Sequence, residues 1–216
     1  MRIKKGSKKY RKILTGGGGD LGVSGNVRKY AELAEVIIGS ENSKRLNAMW
    51  KKSGLNNTTR TFIFKLHNNL LGMNSRVANF VRGHPRTCTF CDLRRVPYEN
   101  AENTKHLFFD CPSVELALIE FFTWLFNSNA QINISRTEYF VGFSYVNAAK
   151  NQVLDLILVL VKKTIWDCKQ RFCVPTGNIL KTSFFEEYGK LFKNCGKVRE
   201  ITRKSDIFLN NNNIRF

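Results

Sequence analysis

The chain is poor in acidic residues and has no hydrophobic segment long enough to cross a membrane. It contains 17 Asp and Glu against 35 Lys and Arg. Its longest uninterrupted apolar run covers only residues 156–161, whereas a transmembrane helix needs roughly 20 apolar residues. Residues 1–12 are dominated by charge and contain no secretory apolar core. We therefore expect an intracellular protein in a reducing compartment, without a membrane partner.

The excess of positive charge is unevenly distributed along the chain. Residues 1–83 contain 17 Lys and Arg against 4 acidic residues, and residues 84–111 contain 4 of each. Residues 112–150 contain 2 against 3, and residues 151–216 contain 12 against 6. An even scatter of lysines would serve solubility alone. Concentration at one end favours a nucleic acid, RNA or DNA, because a basic surface attracts the phosphate backbone and releases its counterions.

The N-terminal arm supplies much of this charge and has no acidic residue within residues 1–12. Its cations are Arg2, Lys4, Lys5, Lys8, Lys9, Arg11 and Lys12. Such a run fits a phosphate-binding tail and a nuclear address equally well. We expect further phosphate contacts from Lys51, Lys52, Arg76 and Arg82, within a wider basic set that includes Lys44, Arg45, Arg60 and Lys65. Because these contacts are to phosphates, we expect the protein to recognise the shape or strandedness of a nucleic acid more than its base sequence.

Three cysteines and one histidine have a spacing typical of a metal site, Cys88-x2-Cys91-x14-His106-x4-Cys111. The close pair can grip one ion from a tight turn, and the second pair completes a tetrahedron, which suits four-coordinate zinc. Three thiolates and a neutral imidazole leave no open coordination position where water could be activated. The quartet therefore predicts a closed, structural zinc site and argues against metal-assisted hydrolysis.

Two alternatives remain open on residues alone. The three cysteines could be ordinary buried thiols, since free cysteine behaves as a small apolar residue, although paired spacings on both sides of the loop argue against this. His84 could replace His106, which we favour for its separation from Cys111. The remaining cysteines are most simply free thiols, because a second site at Cys168 and Cys173 would lack nearby histidines, and Cys195 stands apart.

The quartet belongs to a longer pattern of motifs. Residues 60–66 (RTFIFKL) and 69–72 (NLLG) precede the CTFC motif, and HLFFDCP at residues 106–112 closes the loop. This pattern resembles the zinc-binding region downstream of the polymerase in non-LTR (LINE-type) retrotransposon reverse transcriptases. The last run is its most specific part. Residues 156–166, Pro175 and the aromatic-rich stretch after it are similar to the helical tail of such proteins, so the resemblance spans residues 55–195.

The catalytic signature of a polymerase is missing. The family's polymerase holds Mg²⁺ with paired aspartates in a Tyr-x-Asp-Asp-like turn, and this chain has no Asp-Asp dipeptide. An endonuclease half is not evident, and no nucleophile–base pair or carboxylate cluster accompanies the quartet. We expect no enzymatic activity. The resemblance implies only the carboxy-terminal module, as a domesticated protein, a truncated copy or part of a longer reading frame.

Hydrophobic periodicity predicts a mostly α fold. Strand signals are few, so we expect at most a small hairpin in the zinc loop. An aromatic group after Pro175, consisting of Phe184, Phe185, Tyr188, Leu191 and Phe192, is expected in the core. Helices are expected at residues 26–38, 41–53, 58–71, 75–82, 112–126 and 147–172, with short ones capped by Ser135-x-x-Glu138 and Ser183-x-x-Glu186.

These expectations combine into one arrangement. Residues 1–25 form a basic arm and Gly-rich linker, residues 26–205 form a helical zinc-binding domain with its zinc loop at 84–112, and residues 206–216 form a disordered tail. The favoured function is a zinc-stabilised nucleic-acid-binding module. The alternative is a structural scaffold that docks on a polymerase core without contacting nucleic acid.

Overall fold

The computed structural model describes residues 55–96, 101–126, 134–143 and 149–204. Within these ranges the only strand-like pairing is an isolated antiparallel bridge between Thr87 and Ala101. The predicted mostly α fold is confirmed. The elements are α1 (Asn57–His67), α2 (Asn74–Val77), α3 (Thr89–Leu93), a π-helical turn (His106–Asp110), α4 (Pro112–Phe126), α5 (Arg136–Val141), α6 (Ala149–Gln170), α7 (Gly177–Asn194) and α8 (Gly196–Lys204).

Helix α6 lies at the centre of the described fold, and α1, α7 and α8 all pack against it. Its residues 153–162 are buried without exception. The apolar run at residues 156–161 is therefore part of the core. Across the described ranges, no helix is long and apolar enough to cross a membrane.

Helix α4 has the bounds that the sequence predicts. It packs against α7, α3 and the π-helical turn, and its buried face consists of Val114, Ala117, Phe121 and Leu125. Residues three or four apart share one side of a helix, which explains this spacing. The opposite side carries Leu116 and Ile119, which are 44% and 56% exposed. The helix therefore borders the core and does not run through its middle.

Aromatic rings fill the interface between α4 and α7. The ring of Phe121 lies 5.8 Å from that of Phe184, which in turn lies 5.1 Å from Tyr188. Phe184 and Tyr188 are fully buried, which confirms their predicted core role. Phe185 lies at the edge, with its ring 5.3 Å from that of Trp124. Leu191 and Phe192 are half-buried.

The predicted start of this aromatic helix is wrong. Helix α7 begins at Gly177, well before Ser183, and Thr176 is its N-cap, with Oγ1 accepting from the backbone N–H of Ile179. Ser183 lies inside the helix, where its hydroxyl lies 2.7 Å from that of Thr164. A Ser-x-x-Glu pattern inside a helix looks the same in sequence as one at its start, so the pattern alone misplaced the boundary.

A contact from another helix completes this end of α7. Glu120 of α4 accepts a hydrogen bond from the backbone N–H of Gly177 at 2.7 Å. The carboxylate thus satisfies one of the free N–H groups at the helix start and complements its positive dipole. A Cβ at position 177 would lie 2.5 Å from the Cβ of Glu120, so this close approach requires glycine.

The other helix predictions are mostly confirmed. Helix α1 is shorter than predicted and is followed by Asn69, whose φ of 51° is left-handed. Helix α2 ends at Val77. Both hydrogen bonds of the predicted capping box at Ser135 are present at the start of α5. The arm, the helices predicted at residues 26–38 and 41–53, and the tail at 206–216 lie outside the described residues.

Two buried ionisable side chains of α6 bind the backbone of α5 and of the turn after it. Asp155 Oδ1 accepts from the backbone N–H of Phe143 at 2.6 Å. Lys162 Nζ donates to the carbonyl of Tyr139 at 2.6 Å and lies 5.0 Å from the centre of that ring. Burial lowers the pKa of Lys162 to about 7, although the nearby Asp155 acts in the opposite direction.

We expect stability to rise with pH through this lysine. Its pKa falls from an ordinary 10.5 to about 7 on folding, so the unfolded chain binds more protons between these values. From about pH 7 to pH 9 the gain in unfolding free energy should be about 2 kcal/mol. Chemical denaturation across this range should show the gain in the wild type and in the exposed control Lys197→Met, but not in Lys162→Met. The same pH dependence in Lys162→Met would contradict the assignment.

Candidate metal centre

Cys88, Cys91, His106 and Cys111 come together as a buried group that can hold a metal ion. Their ligating atoms all lie within 4.8 Å of one another. Cys111 Sγ is 3.9 Å from both other sulfur atoms, and His106 Nε2 is 3.4 Å from Cys91 Sγ. A tetrahedral ion with zinc-like bond lengths would require separations of about 3.8 Å between sulfurs and about 3.6 Å between sulfur and nitrogen. The geometry of the four side chains fits such an ion.

Short local structures place each of these side chains. Cys88 is the N-cap of α3 and Cys91 lies within it, so one helical turn brings the two thiols to the same side. His106 begins the π-helical turn and Cys111 follows it. Residues five apart in an α-helix point about 140° apart. The wider π-helical turn reduces this angle, which explains how a His-x4-Cys spacing can serve one site.

His84 lies outside the group. Its Nε2 is 3.3 Å from Asn74 Oδ1, and it is half-buried. Geometry thus favours His106 over His84, the choice that the residues alone left open. All six cysteines are free, and in the described part of the chain no set of ligands gathers around Cys168 and Cys173.

The buried thiols affect one another's protonation. The pKa of Cys111 is lowered to about 4, mainly because it accepts a hydrogen bond from Cys88, and also through His106 and the N–H groups at the start of α4. That same contact and burial raise the pKa of Cys88, and burial raises the pKa of Cys91 to about 11. The crowded sulfurs thus oppose the loss of all three protons together. A cation would displace these protons, because it stabilises every thiolate at once.

Sequence reasoning missed a carboxylate that supports the metal loop, which is the segment 84–112 that the sequence predicts to be a zinc loop. Glu102 is completely buried. Its Oε2 accepts from the backbone N–H and the hydroxyl of Thr89 at 2.9 and 2.8 Å, and its Oε1 accepts from the N–H of Asn74 at 3.0 Å. Thr89 directly follows Cys88 in the chain. Glu102 therefore holds the loop segment from which Cys88 and Cys91 project.

The charge of Glu102 is balanced from the core. Lys169 Nζ, near the end of α6, lies 3.2 Å from Glu102 Oε1 and also donates to the carbonyl of Gly72 at 3.3 Å. This buried pair ties the metal loop and the turn before α2 to the central helix. Neither residue belongs to a motif, and the two lie far apart in the chain, so nothing in the sequence pointed to their contact.

The predicted phosphate-binding residues are only partly described. Arg76 and Arg82 are both exposed, and Arg76 Nη1 donates to the carbonyl of Asn69 at 2.5 Å. The other predicted contacts, Lys4, Lys5, Lys8, Lys9, Arg11, Lys12, Lys51 and Lys52, lie outside the described residues.

The metal loop is more basic on its surface than its net charge of zero indicates. Glu102 is buried against Lys169, and Asp110 pairs with Arg136 at 2.9 Å. Asp92 is exposed, and Glu99 lies outside the described residues. Three of the loop's basic residues are exposed, namely Arg86, Arg94 and Arg95. Counting charges along the chain could not show this excess of exposed basic residues, because it depends on which acidic residues the fold buries or pairs.

We expect Glu102→Gln to weaken both the fold and the metal site. The amide leaves Lys169 buried without its anion, which should cost about 3 kcal/mol of unfolding free energy. Metal affinity should fall about tenfold or more, because the loop loses an outer support of its ligands. Denaturation and competition with a chromogenic chelator measure the two effects. The exposed control Glu186→Gln should change stability by less than about 0.5 kcal/mol, and equal behaviour of the two variants would contradict this role for Glu102.

The chain was compared with known families, proteins and structures. No protein-family model matches it, no curated protein matches it, and no solved structure matches it. The resemblance to the zinc-binding region of non-LTR reverse transcriptases therefore rests on the sequence motifs quoted above and stays a prediction.

Proposed function

We propose that this protein is a nucleic-acid-binding module stabilised by a structural zinc ion. The observation that carries the proposal is the convergence of three buried thiols and one imidazole within 4.8 Å of one another, beside an exposed basic surface. Sulfur and imidazole ligands in a tetrahedral arrangement are typical of zinc and disfavour Mg²⁺ or Ca²⁺, which prefer oxygen.

Zinc at this position would stabilise the fold. Cys88 and Cys91 belong to α3, and His106 and Cys111 flank the π-helical turn that leads into α4. An ion held by all four would join the two ends of the loop, and its free energy of binding would add to that of folding. Four protein ligands occupy a tetrahedron, so the proposed role is structural and not catalytic.

The charge of the segment that contains α1, α2 and α3 supports a polyanionic partner. Residues 55–96 contain 7 Lys and Arg against a single acidic residue, Asp92. All seven cations are exposed: Arg60, Lys65, Arg76, Arg82, Arg86, Arg94 and Arg95. A dense and weakly compensated set of cations attracts a phosphate backbone and releases its counterions on binding. The N-terminal arm would add to this field and could act as a nuclear address.

One observation favours the second candidate, a scaffold that docks on another protein such as a polymerase core. Leu116 and Ile119 lie half-exposed on the outer side of α4, next to the metal centre in the chain. Apolar side chains on a helix surface can bury area against a partner. The two candidates differ in salt dependence, because phosphate binding weakens steeply with salt and apolar docking does not.

We expect the purified chain to contain one zinc ion held by the four named ligands. Elemental analysis should show that Cys88→Ser lowers zinc content and melting temperature together, whereas Cys168→Ser leaves zinc content unchanged. His106→Ala should lose zinc and His84→Ala should keep it, because only His106 lies in the buried group. Full zinc retention in a Cys88→Ser/Cys111→Ser double variant would refute the site.

We expect nucleic-acid affinity to depend mainly on the N-terminal basic region. Deleting residues 1–15 should weaken binding to all sequences alike and reduce the slope of log K against log salt by about two to four units, at roughly 0.7 to 0.9 per lost phosphate contact. Replacing Arg94 and Arg95 with alanine should change the slope by about one unit or less. Fluorescence anisotropy over a salt series measures both slopes. If the arm deletion leaves the slope unchanged and the arginine replacements reduce it strongly, the metal loop itself is the main contact surface.

A further inference from the structure

A pocket of about 450 Å³ lies between the end of α1 and α2, beside the segment that leads into His106. Four asparagines, Ser75, Thr104 and Arg76 contribute its polar groups, and Leu70, Leu71 and Met73 contribute apolar surface. Among the described residues that line it, none is acidic. The pocket is thus a recess of mixed polarity with one guanidinium and no carboxylate, close in the chain to the proposed metal centre but separate from it.

Three of the four asparagines that line this pocket have their side-chain oxygen atoms occupied, whereas the fourth, Asn68, donates its amide to the carbonyl of Phe64 at 3.1 Å. Asn79 Oδ1 accepts from the guanidinium of Arg86 at 2.8 Å, and Asn103 Oδ1 accepts from the backbone N–H of His106 at 2.8 Å. Both donors can only donate, which fixes the orientation of these two amides. Asn69 Oδ1 accepts from the hydroxyl of Thr104 at 2.7 Å.

The side-chain amide nitrogens of the other three asparagines remain as donors. Across the described residues, no hydrogen bond links the NH₂ group of Asn69, Asn79 or Asn103 to another group. Together with the guanidinium of Arg76, they give the polar part of the pocket lining several N–H donors. Such a lining suits a ligand rich in acceptors and negative charge, such as a phosphodiester, and disfavours cations.

An exposed aromatic ring adjoins this pocket in the chain. Phe80 follows Asn79 and is 83% exposed, whereas Phe184 and Tyr188 are fully buried. Val81, the next residue, is 51% exposed, and Arg82 after it is exposed. An exposed ring between cations offers a stacking surface for a nucleobase, since bases of every kind have a π face.

We propose that the pocket and Phe80 together seat a nucleotide segment of an unpaired strand, with phosphate oxygens on the amide and guanidinium donors and a base stacked on Phe80. This inference rests on the nucleic-acid-binding function proposed above and adds a preference for single strands over duplexes. In a duplex the bases are stacked on one another, so their faces cannot reach an exposed ring without unpairing.

Affinity for matched single-stranded and duplex RNA, labelled with a fluorophore and measured by anisotropy at one salt concentration, tests the base-stacking half. Phe80→Ala should weaken single-strand binding about tenfold, the usual effect of losing one stacked base, and leave duplex binding unchanged. The matched control is Phe172→Ala, because Phe172 is 74% exposed and lies after α6, away from the pocket residues in the chain. That control should bind as the wild type does.

A second pair of variants tests the donor lining. Asn79→Asp keeps an oxygen acceptor for Arg86 but replaces the amide donor with a carboxylate, which repels phosphate. Single-strand affinity should fall about tenfold, as expected for a lost hydrogen bond to a charged group. Asn178→Asp adds the same charge at another exposed asparagine, on α7, and should have little effect. Melting curves of all four variants confirm that each is folded.

The possible outcomes distinguish failure of this inference from failure of the nucleic-acid-binding function on which it rests. A wild-type chain that binds single strands, with Phe80→Ala and Asn79→Asp binding equally well, overturns the nucleotide pocket and leaves the binding module standing. A wild-type chain that binds neither single strands nor duplexes, tested both as RNA and as DNA, overturns both. Equal losses on single strands and duplexes for Phe80→Ala also overturn the inference, because stacking on an unpaired base cannot produce them.

Discussion

The buried carboxylate of Glu102 is the contact on which the shape of the metal loop depends. It accepts hydrogen bonds from Asn74 at the start of α2 and from Thr89 at the start of α3, and Lys169 of the central helix balances its charge. A buried pair of this kind holds position only while both partners are present and their remaining hydrogen bonds are made. One ion pair thus sets where the basic turns lie relative to the helical core.

The proposed zinc site and the proposed nucleotide pocket share this support. Asn103 follows Glu102, lines the pocket and accepts from the backbone N–H of His106. The residues that would hold the ion and those that would meet a phosphate therefore lie on the same short segments. Small secondary-structure elements such as α2 and α3 have little stability of their own. A metal ion and a buried ion pair can give them the rigidity that a binding surface requires.

Several features followed directly from local sequence patterns. Helix α4 has its predicted bounds because Pro112 suits the first turn and the apolar spacing has helical period. The capping box at Ser135 was also predicted correctly. The start of α7 was wrong, because the helix begins after the N-cap Thr176 and not at the capping-box pattern of Ser183. Glu120 and the close contact at Gly177 support this start from α4, and no local pattern contains either contact.

The amino-acid sequence by itself determined the helical class, the candidate ligand quartet and the excess of positive charge, since periodicity, spacing and composition are properties of neighbouring residues. Only the tertiary structure decided that His106 and not His84 joins the three cysteines. It also decided that Glu102 is buried against Lys169 while Arg94 and Arg95 face solvent. The physical reason is that burial and pairing depend on contacts between residues distant in the chain, which neither composition nor spacing records.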